Sequence, residues 1–232
     1  MTKPQLILLP GLLNDADLWR DQMSGLSDLA TCTVADLTQH DTLAALADSV
    51  LAMAEPRFSL AGFSFGGYVA QAILRRAPER VERLALLDTA IRIDTPQRAA
   101  QRRSLNTAAA ADGHFLGITE RMLPTYIAPS RLDDAGLTGR IQAMTARLGR
   151  QVFLRQNSVI REDGEAVLRA FCGPTVIICG ELDILTPVAA HQEMADIAAA
   201  PLVIIPGSGH MTPLEAQAEV TGALRIWMLS EA

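Results

Sequence analysis

Short runs of consecutive apolar residues alternate along this chain with longer segments that favour helices. Each of the six runs is followed directly by Gly, Pro or Asp, which are residues typical of the turns that end strands. Continuous rather than alternating apolarity indicates strands that are buried on both faces, as in a parallel sheet. The predicted strands span residues 5–9, 31–35, 58–61, 84–87, 175–179 and 202–205.

Several segments between these runs have helical signals. Leu43, Leu46 and Val50 lie at positions i, i+3 and i+7, which predicts a helix over residues 41–53. The alternation of strands and helices predicts an α/β fold, an open, mostly parallel sheet of about six strands flanked by helices with right-handed crossovers. The other predicted helices between the strands span residues 68–76, 187–198 and 213–229.

Two threonines mark the predicted starts of the last two helices. Thr186 and Thr212 each stand before a proline, the usual order of an N-cap and a first helical residue. Thr212 and Glu215 are also three residues apart, which matches a capping box. We therefore expect both threonine side chains to cap the helices that follow them.

The segment from residue 88 to residue 173 interrupts the alternation. It contains no convincing strand, and consecutive strands of a sheet rarely need so long a connection. We therefore predict that residues 1–90 and 172–232 form the α/β core, and that residues 91–171 form a small helical cap insertion over one end of the sheet. Helices inside the insertion are predicted over residues 97–105, 116–123, 137–149 and 150–160.

Composition and charge narrow the classes of partner. The 232 residues include 20 Lys and Arg against 26 Asp and Glu, a net charge of −6, so a nucleic-acid or anionic membrane surface is not expected. The three cysteines have no CxxC spacing, which is typical of a reducing compartment rather than of a disulfide or zinc framework. The apolar run at residues 6–9 is too short for a membrane span or signal peptide, so we expect a cytoplasmic protein with a small-molecule substrate.

The sharpest chemical signal is the segment Gly-Phe-Ser-Phe-Gly-Gly at residues 62–67. It stands between a predicted strand and a predicted helix, the context in which a nucleophile elbow presents a serine on a strained turn. Small residues two positions either side of Ser64 let the strand and the helix pass closely. An ordinary glycine-rich turn is the alternative interpretation.

A catalytic serine needs a base, and four histidines are candidates. His210 lies in the loop that follows the last predicted strand, where open α/β sheets place their sites. His40 also follows a strand, after four intervening residues, whereas His114 lies in the insertion and His191 lies within a predicted helix. His210 is therefore the predicted base.

The base needs a carboxylate to orient it. Asp183 follows the strand at 175–179, and the chain order Ser64, Asp183, His210 is the order given for a nucleophile elbow of this kind. Glu181 and Asp88 are the rival carboxylates, the latter at the end of the strand at 84–87.

Two backbone amides are candidates for an oxyanion hole. The amide of the residue after the nucleophile, Phe65, is one donor that such an elbow provides. The second is expected from the loop after the first strand, where Gly11 lets the chain turn and makes Leu12 the favoured donor. A plain turn at the end of the strand is the alternative interpretation of that loop.

With these motifs, the sequence resembles the α/β-hydrolase fold superfamily, in its branch of small single-domain esterases, enol-lactonases and carbon–carbon bond hydrolases. The resemblance covers essentially the whole chain and rests on segment 62–67, on the Gly-x-x-Asp strand end at 180–183 and on Gly-His at 209–210. It implies that Ser64 is the nucleophile, His210 the base and Asp183 the orienting acid, with Leu12 and Phe65 as the oxyanion hole.

Two features depart from that family's pattern. The His-Gly pair that usually precedes the oxyanion loop is Pro10-Gly11 here, which affects only the geometry of the loop. Only four residues precede the first predicted strand, so we expect about six parallel strands rather than the family's usual eight.

The function that follows is a serine hydrolase that cleaves a small carboxylic ester or lactone through an acyl-enzyme. Neither a metal nor an organic cofactor is expected, since the sequence has no Walker loop, dinucleotide fingerprint or HExxH motif. Carbon–carbon bond hydrolysis and cofactor-free haloperoxidase-like perhydrolysis are alternatives on the same residues. A non-catalytic binding module is a third alternative, because a fold alone does not fix function.

The cap insertion offers candidates for the substrate pocket. An arginine cluster near its start could attract an anionic substrate such as a carboxylate-bearing lactone, although a solvated helix face is the commoner meaning of such spacing. Large apolar side chains of the insertion could shape the pocket or form the cap's own core. The arginines are Arg92, Arg98, Arg102 and Arg103, and the large side chains are Phe115, Leu123, Tyr126, Met144 and Phe153.

Overall fold

The protein is represented by a computed structural model that describes residues 3–111, 115 and 117–231. Six parallel strands form one open sheet in the order β2-β1-β3-β4-β5-β6, which confirms the predicted fold class. The strands are β1 Gln5–Leu9, β2 Thr31–Val34, β3 Phe58–Phe63, β4 Val81–Leu87, β5 Thr175–Gly180 and β6 Leu202–Ile205.

Helices connect these strands and surround the sheet. Within the described ranges the α-helices are α1 Arg20–Gly25, α2 Leu43–Met53, α3 Phe65–Arg76, α4 Pro96–Ala110, α5 Leu123–Tyr126, α6 Ala135–Ser158, α7 Glu165–Ala170, α8 Val188–Ala198, α9 Thr212–Glu215 and α10 Gln217–Leu229. None of these helices combines the length and the apolarity that crossing a bilayer requires, as far as the described residues go.

The central strands are largely apolar because most of their residues are buried on one or the other face of the sheet. Successive residues of a strand point to opposite sides, so Ile7 and Leu9 join one hydrophobic cluster whereas Leu6 and Leu8 join the other. The first cluster also contains residues of α2, α3 and α8, and the second contains residues of α10, with Met23 of α1 packed against it. The result is a three-layer α/β core that presents the carboxyl ends of all six strands at one edge.

The turn between β3 and α3 depends on small residues. Gly66 lies so close to β1 that an added Cβ would overlap the carbonyl of Leu9, and Gly62 faces the backbone of Gly66 in the same way. These contacts set the distance between α3 and the sheet, and therefore the position of the serine at the turn.

We expect Gly66→Ala to lower the free energy of unfolding by about 1–3 kcal/mol or more, because backbone atoms must move to admit the methyl group. Gly139 is the matched control, since it is exposed on α6 and an added Cβ meets nothing there. Gly139→Ala should stabilise the protein by about 0.5–1 kcal/mol. Urea denaturation measures both values, and an unchanged midpoint for Gly66→Ala would contradict the close approach.

The segment predicted as a cap insertion is helical. α4 and α6 pack against each other, and α6 is broken at Gly149, which has φ 72° and separates the two helices predicted on either side of it. α7 packs against α3 and α8, which flank the sheet. The boundaries of the core and the insertion, 1–90, 91–171 and 172–232, stay a prediction.

Three details differ from the expectations. The helix predicted over residues 116–123 is wrong: only Leu123–Tyr126 is helical, residues 117–122 are turns and loop, and residue 116 lies outside the described residues. The helix predicted over residues 213–229 is two helices, because Ala216, with φ −136° and ψ 60°, departs from the helical conformation and ends α9. The short helices α1 and α7 were not predicted, since each is only six residues long and carries too little periodicity to detect.

The two predicted threonine caps are also wrong. Pro187 is the N-cap of α8 and Met211 is the N-cap of α9, so neither threonine caps a helix. Both threonine hydroxyls bind aspartates instead, Thr186 to Asp183 and Thr212 to Asp88. Thr186 thus binds a carboxylate three residues earlier in the chain, and Thr212 binds one at the end of a distant strand, instead of capping the helices that follow them.

Candidate active site

Ser64 stands on a strained turn at the carboxyl end of β3. Its φ of 49° and ψ of −112° are unusual for a residue with a side chain, and such a conformation costs about 1–3 kcal/mol. The surroundings hold it there: its N–H donates to Leu87 O at 2.9 Å, and its carbonyl accepts from Thr89 Oγ1 at 2.7 Å. The strain is thus maintained by bonds to the neighbouring strand end.

The structure brings Ser64, His210 and Asp183 together. His210 Nε2 lies 3.0 Å from Ser64 Oγ, and His210 Nδ1 lies 2.8 Å from Asp183 Oδ2. His210 is 3% exposed and lies between the rings of Phe63 and Tyr126. Its Nε2 therefore faces Ser64, whereas its Nδ1 faces Asp183 and has Thr186 Oγ1 at 3.4 Å.

Asp183 is built to remain ionised. Burial alone would raise the pKa of its carboxyl, but His210 and hydrogen bonds from Thr186 outweigh burial and hold that pKa below its ordinary value. Asp183 Oδ1 accepts from the N–H groups of Leu185 and Thr186, and Oδ2 accepts from Thr186 Oγ1 at 2.6 Å. The Thr186 hydroxyl is a partner that the sequence analysis assigned to a helix cap.

The two rival carboxylates do not reach His210. Asp88 is completely buried, accepts from Gly180 N at 3.0 Å and binds the Thr212 hydroxyl. Burial, and then the nearby charge of Asp183, raise the pKa of Asp88 well above its ordinary value. Glu181 accepts from Gly207 N at 2.9 Å and is exposed.

The other histidines lie away from Ser64 or outside the described residues. His40 is in the loop after β2, and His114 falls outside the described residues. His191 is fully buried on α8, where its Nε2 accepts from Thr89 N at 3.0 Å and its Nδ1 faces Pro187 O at 3.2 Å. These two bonds suit a neutral imidazole, so His191 supports the same Thr89 that holds the Ser64 carbonyl.

His191 should make stability depend on pH. Burial lowers its pKa from 6.5 to about 4, so between these values the unfolded chain binds a proton that the folded chain does not. The free energy of unfolding should therefore fall by about 3 kcal/mol as the pH drops from 7 to 4. Urea denaturation of wild type and His191→Gln at both pH values isolates this contribution, and an identical pH response of the two proteins would contradict it.

Glu215 holds the loop that carries His210, a role the sequence analysis did not detect. Its carboxylate accepts from the N–H groups of Gly209 and Met211, both at 3.0 Å, and from Ala128 N at 2.7 Å. Burial raises the pKa of Glu215 despite these bonds. The predicted capping box included Glu215 but paired it with Thr212, whereas its carboxylate accepts from the loop of His210 and from Ala128.

The loop after β1 leaves an amide available beside Ser64. Leu13 has φ 55°, and its N–H donates to Gln156 Oε1 at 2.9 Å, while Asn14 N closes a turn on Gly11 O at 3.2 Å. The N–H of Leu12 has no acceptor among the described residues, and the same holds for Phe65, the first residue of α3. Both predicted donors line the cavity that contains Ser64.

A cavity of about 380 Å³ opens above Ser64 and His210, referred to below as the active-site cavity. Its walls come from the elbow, the loop after β1, α4, residues 118–126 and the second half of α6. A second, mainly apolar cavity of about 260 Å³ shares Leu12, Leu105 and Met122 with it. The active-site cavity therefore contains the polar groups of Ser64 and His210, and the second cavity extends it with a mainly apolar lining.

The predicted pocket side chains divide into two groups. Tyr126 and Phe153 line both cavities, and Phe115 lines the second. Leu123 and Met144 are buried in the hydrophobic cluster of the other sheet face instead.

Two of the four arginines in the predicted cluster line the active-site cavity, and two do not. Arg98 and Arg102 line the active-site cavity. Arg92 forms ion pairs outside it, one of them with Glu193, and Arg103 lies on the exposed face of α4.

Within the part of the chain that the structure describes, no group of three or more His, Cys, Asp and Glu side chains is arranged to hold a metal ion.

Comparison with known protein sequences adds two findings. A model of the alpha/beta hydrolase family matches residues 6–223. The pimeloyl-[acyl-carrier protein] methyl ester esterase of Chromobacterium violaceum is 29% identical over 184 residues, which are 70% of this chain and 69% of that protein.

Two solved structures share the fold. A thermophilic esterase from Thermogutta terrifontis is 26% identical with a TM-score of 0.86, covering 98% of this chain and 90% of the other. The enol-lactonase from Burkholderia xenovorans LB400 is 21% identical with a TM-score of 0.83, covering 99% and 93%. At 21% identity, the similarity to the enol-lactonase shows a shared fold only.

Proposed function

This chain belongs to the alpha/beta hydrolase family, and we propose that it is a serine hydrolase that cleaves a small-molecule carboxylic ester or lactone through an acyl-enzyme. The observation that carries the proposal is the chain of contacts from Ser64 Oγ to His210 Nε2 at 3.0 Å and from His210 Nδ1 to Asp183 Oδ2 at 2.8 Å. Nucleophile, base and orienting acid have this mutual geometry in acyl-transfer enzymes.

In the first step, Ser64 Oγ attacks the substrate carbonyl carbon while its proton passes to His210 Nε2. Asp183 keeps Nδ1 protonated, so that Nε2 is free to accept, and its negative charge stabilises the imidazolium that forms. His210 then gives the proton to the leaving oxygen, and the acyl group remains on Ser64. A water molecule, activated by the same imidazole, attacks the acyl carbon and releases the acid.

The amides of Leu12 and Phe65 would hold the oxyanion of both tetrahedral intermediates. Neither amide has an acceptor among the described residues, so a developing negative charge would satisfy donors that are otherwise unpaired. The loss of one such donor typically reduces the rate by about 10²–10³-fold.

Size and relatedness support a small ester. A cavity of about 380 Å³ is within the range of small-molecule sites, and it lies directly over Ser64 and His210. The relative from Chromobacterium violaceum and the structural neighbour from Thermogutta terrifontis are both named as esterases.

A substrate panel tests the proposal. Purified protein is assayed with short p-nitrophenyl esters and with lactones, and a fluorophosphonate probe is used to label the active serine, which is then located by mass spectrometry. We expect hydrolysis of esters or lactones and labelling at Ser64. Complete inertness together with an unlabelled Ser64 would contradict the proposal and favour a binding module.

The same panel separates the alternative reactions. Turnover of a vinylogous diketone without turnover of esters would assign the triad to carbon–carbon bond hydrolysis. Peroxide-dependent bromination that exceeds ester hydrolysis would assign it to perhydrolysis. Either result would retain the triad and replace the substrate.

A further inference from the structure

Arg161 is a buried cation without a counter-ion. It is 4% exposed, and its Nη1 donates to two carbonyl oxygens, Val159 O at 2.6 Å and Gln156 O at 3.4 Å. Its Nε is buried without a partner, and no described carboxylate forms an ion pair with it. Buried charges are normally paired, so an unpaired guanidinium is costly unless something else supplies the anion.

The guanidinium lies at the active-site cavity. Arg161 is part of the cavity wall, and its Cζ is 4.8 Å from the ring centroid of Phe65 and 5.3 Å from that of Tyr68. Phe65 is the residue that follows Ser64 in the elbow. The stack therefore fixes the cation beside the reacting serine rather than at a distant surface.

Further arginines raise the positive charge of the same wall. Arg98 and Arg102 also line the cavity, where Arg98 donates to Leu185 O and Arg102 pairs with Asp94 at 2.7 Å. Burial, and then the charges of Arg102 and Arg98, lower the pKa of Arg161 to about 9, which still leaves it charged at neutral pH. No Asp or Glu stands among the described residues that line the cavity.

A structural role accounts for only part of this arrangement. Bonds to two carbonyls and a stack on two rings would explain why Arg161 holds the segment after α6 in place. They do not explain an unpartnered Nε, or a concentration of arginine at the cavity of a chain whose net charge is −6. A bound anion would account for the concentration of positive charge at the cavity.

We propose that Arg161, assisted by Arg98 and Arg102, binds a carboxylate of the substrate, so that the preferred ester or lactone carries a negative charge. This inference rests on the proposed hydrolase function and names its substrate class. A guanidinium that stacks on a ring keeps its planar N–H groups pre-aligned for a carboxylate. The apolar second cavity then receives an uncharged part of the substrate.

Two pairs of esters test the subsite on the intact protein. Mono-p-nitrophenyl adipate and p-nitrophenyl hexanoate have the same chain length and differ at the acyl terminus, where one has a carboxylate and the other a methyl group. Hexanoyl esters of 4-hydroxybenzoate and 4-hydroxybenzamide make the same comparison on the alcohol side. We expect kcat/KM for the charged member of at least one pair to exceed that of the neutral member by about 10- to 100-fold.

Variants then assign the preference to residues. Arg161→Gln should bring the charged-to-neutral ratio close to one, and Arg161→Lys should restore part of it, because charge returns without the planar fork. Arg98→Gln should lower the ratio partially, and it serves as the second test if Arg161→Gln does not fold. Arg103→Gln is the matched control: it removes the same charge from α4 outside the cavity and should keep the wild-type ratio.

Each outcome bears on one of the two proposals. Hydrolysis of the neutral esters with no preference for either charged ester would overturn the subsite and leave the esterase intact. A ratio that survives in Arg161→Gln, or that falls equally in Arg103→Gln, would overturn the role of Arg161. Hydrolysis of no ester, with Ser64 unlabelled by a fluorophosphonate, would overturn the hydrolase itself.

Discussion

Replacement of Ser64 by alanine is expected to abolish hydrolysis, with a fall in kcat of about 10⁴–10⁶-fold, as serine hydrolases show when the nucleophile is removed. Without Oγ no acyl-enzyme can form, and His210 loses the partner that stands 3.0 Å from its Nε2. Binding and any oxyanion donors remain, so a small residual rate above that in water is expected. Steady-state kinetics with a p-nitrophenyl ester and labelling by a fluorophosphonate measure the two effects.

The loss should be chemical and not structural. Ser64 lies on a turn, and alanine meets the same positive φ that serine does, so the free energy of unfolding should stay within about 0.5 kcal/mol. Ser59 is the matched control, because it lies in β3, which precedes Ser64, is buried, and its hydroxyl has no described partner. Ser59→Ala should keep both activity and labelling. Substantial hydrolysis by Ser64→Ala would remove Ser64 as the nucleophile.

The sheet could be predicted from sequence because its residues leave so little choice. A strand such as β3, buried along its whole length, is largely apolar, with Ser59 as an exception, and the predicted run at 58–61 lies within it. The break at Gly149 was equally visible, since glycine readily adopts the positive φ observed there. Where a segment is short or its helix signals are local, as at residues 116–123, the sequence pattern did not determine the outcome.

The candidate triad was predictable for a different reason. A serine between small residues, an aspartate at a strand end and a histidine in a loop each carry a local signal, and parallel strands bring their carboxyl ends to one edge. Glu215 carries no such signal. Its role arises only because the loop of His210 and the segment at Ala128 meet in space. Arg161 is similar: its partners are carbonyls and rings that sequence alone does not place beside it.

Most of the residues that have a positive φ without being glycine lie at the candidate site. Among the described residues, four that are not glycine have positive φ. Leu13, Ser64 and Asp88 directly follow a strand or lie in the loop after one at the site edge, whereas Ala199 ends α8. Sequence signals based on glycine do not reveal such positions, because serine, leucine and aspartate disfavour that conformation. Surrounding bonds hold them, as Thr89 and Leu87 do for Ser64. Strain of this kind is therefore a consequence of the tertiary structure.

Asp183→Asn should lower kcat by about 10⁴-fold. Comparison with Asp88→Asn should show which of these two buried carboxylates orients His210. The amide cannot accept the Nδ1 proton and supply a negative charge as the carboxylate does, so His210 would present the wrong tautomer to Ser64. Asp88→Asn is the matched control. Burial raises the pKa of Asp88 well above its ordinary value, which favours the neutral carboxyl that an amide resembles.

Asp88→Asn should therefore retain most of the activity, because the amide can still accept from Gly180 N and donate toward the Thr212 hydroxyl. The two variants change the same atom type within one buried cluster, so a general loss of packing would affect both. Only the contact to His210 distinguishes them. If kcat collapses in Asp88→Asn and survives in Asp183→Asn, the acid belongs at the end of β4, and the 2.8 Å contact from Asp183 to His210 is structural.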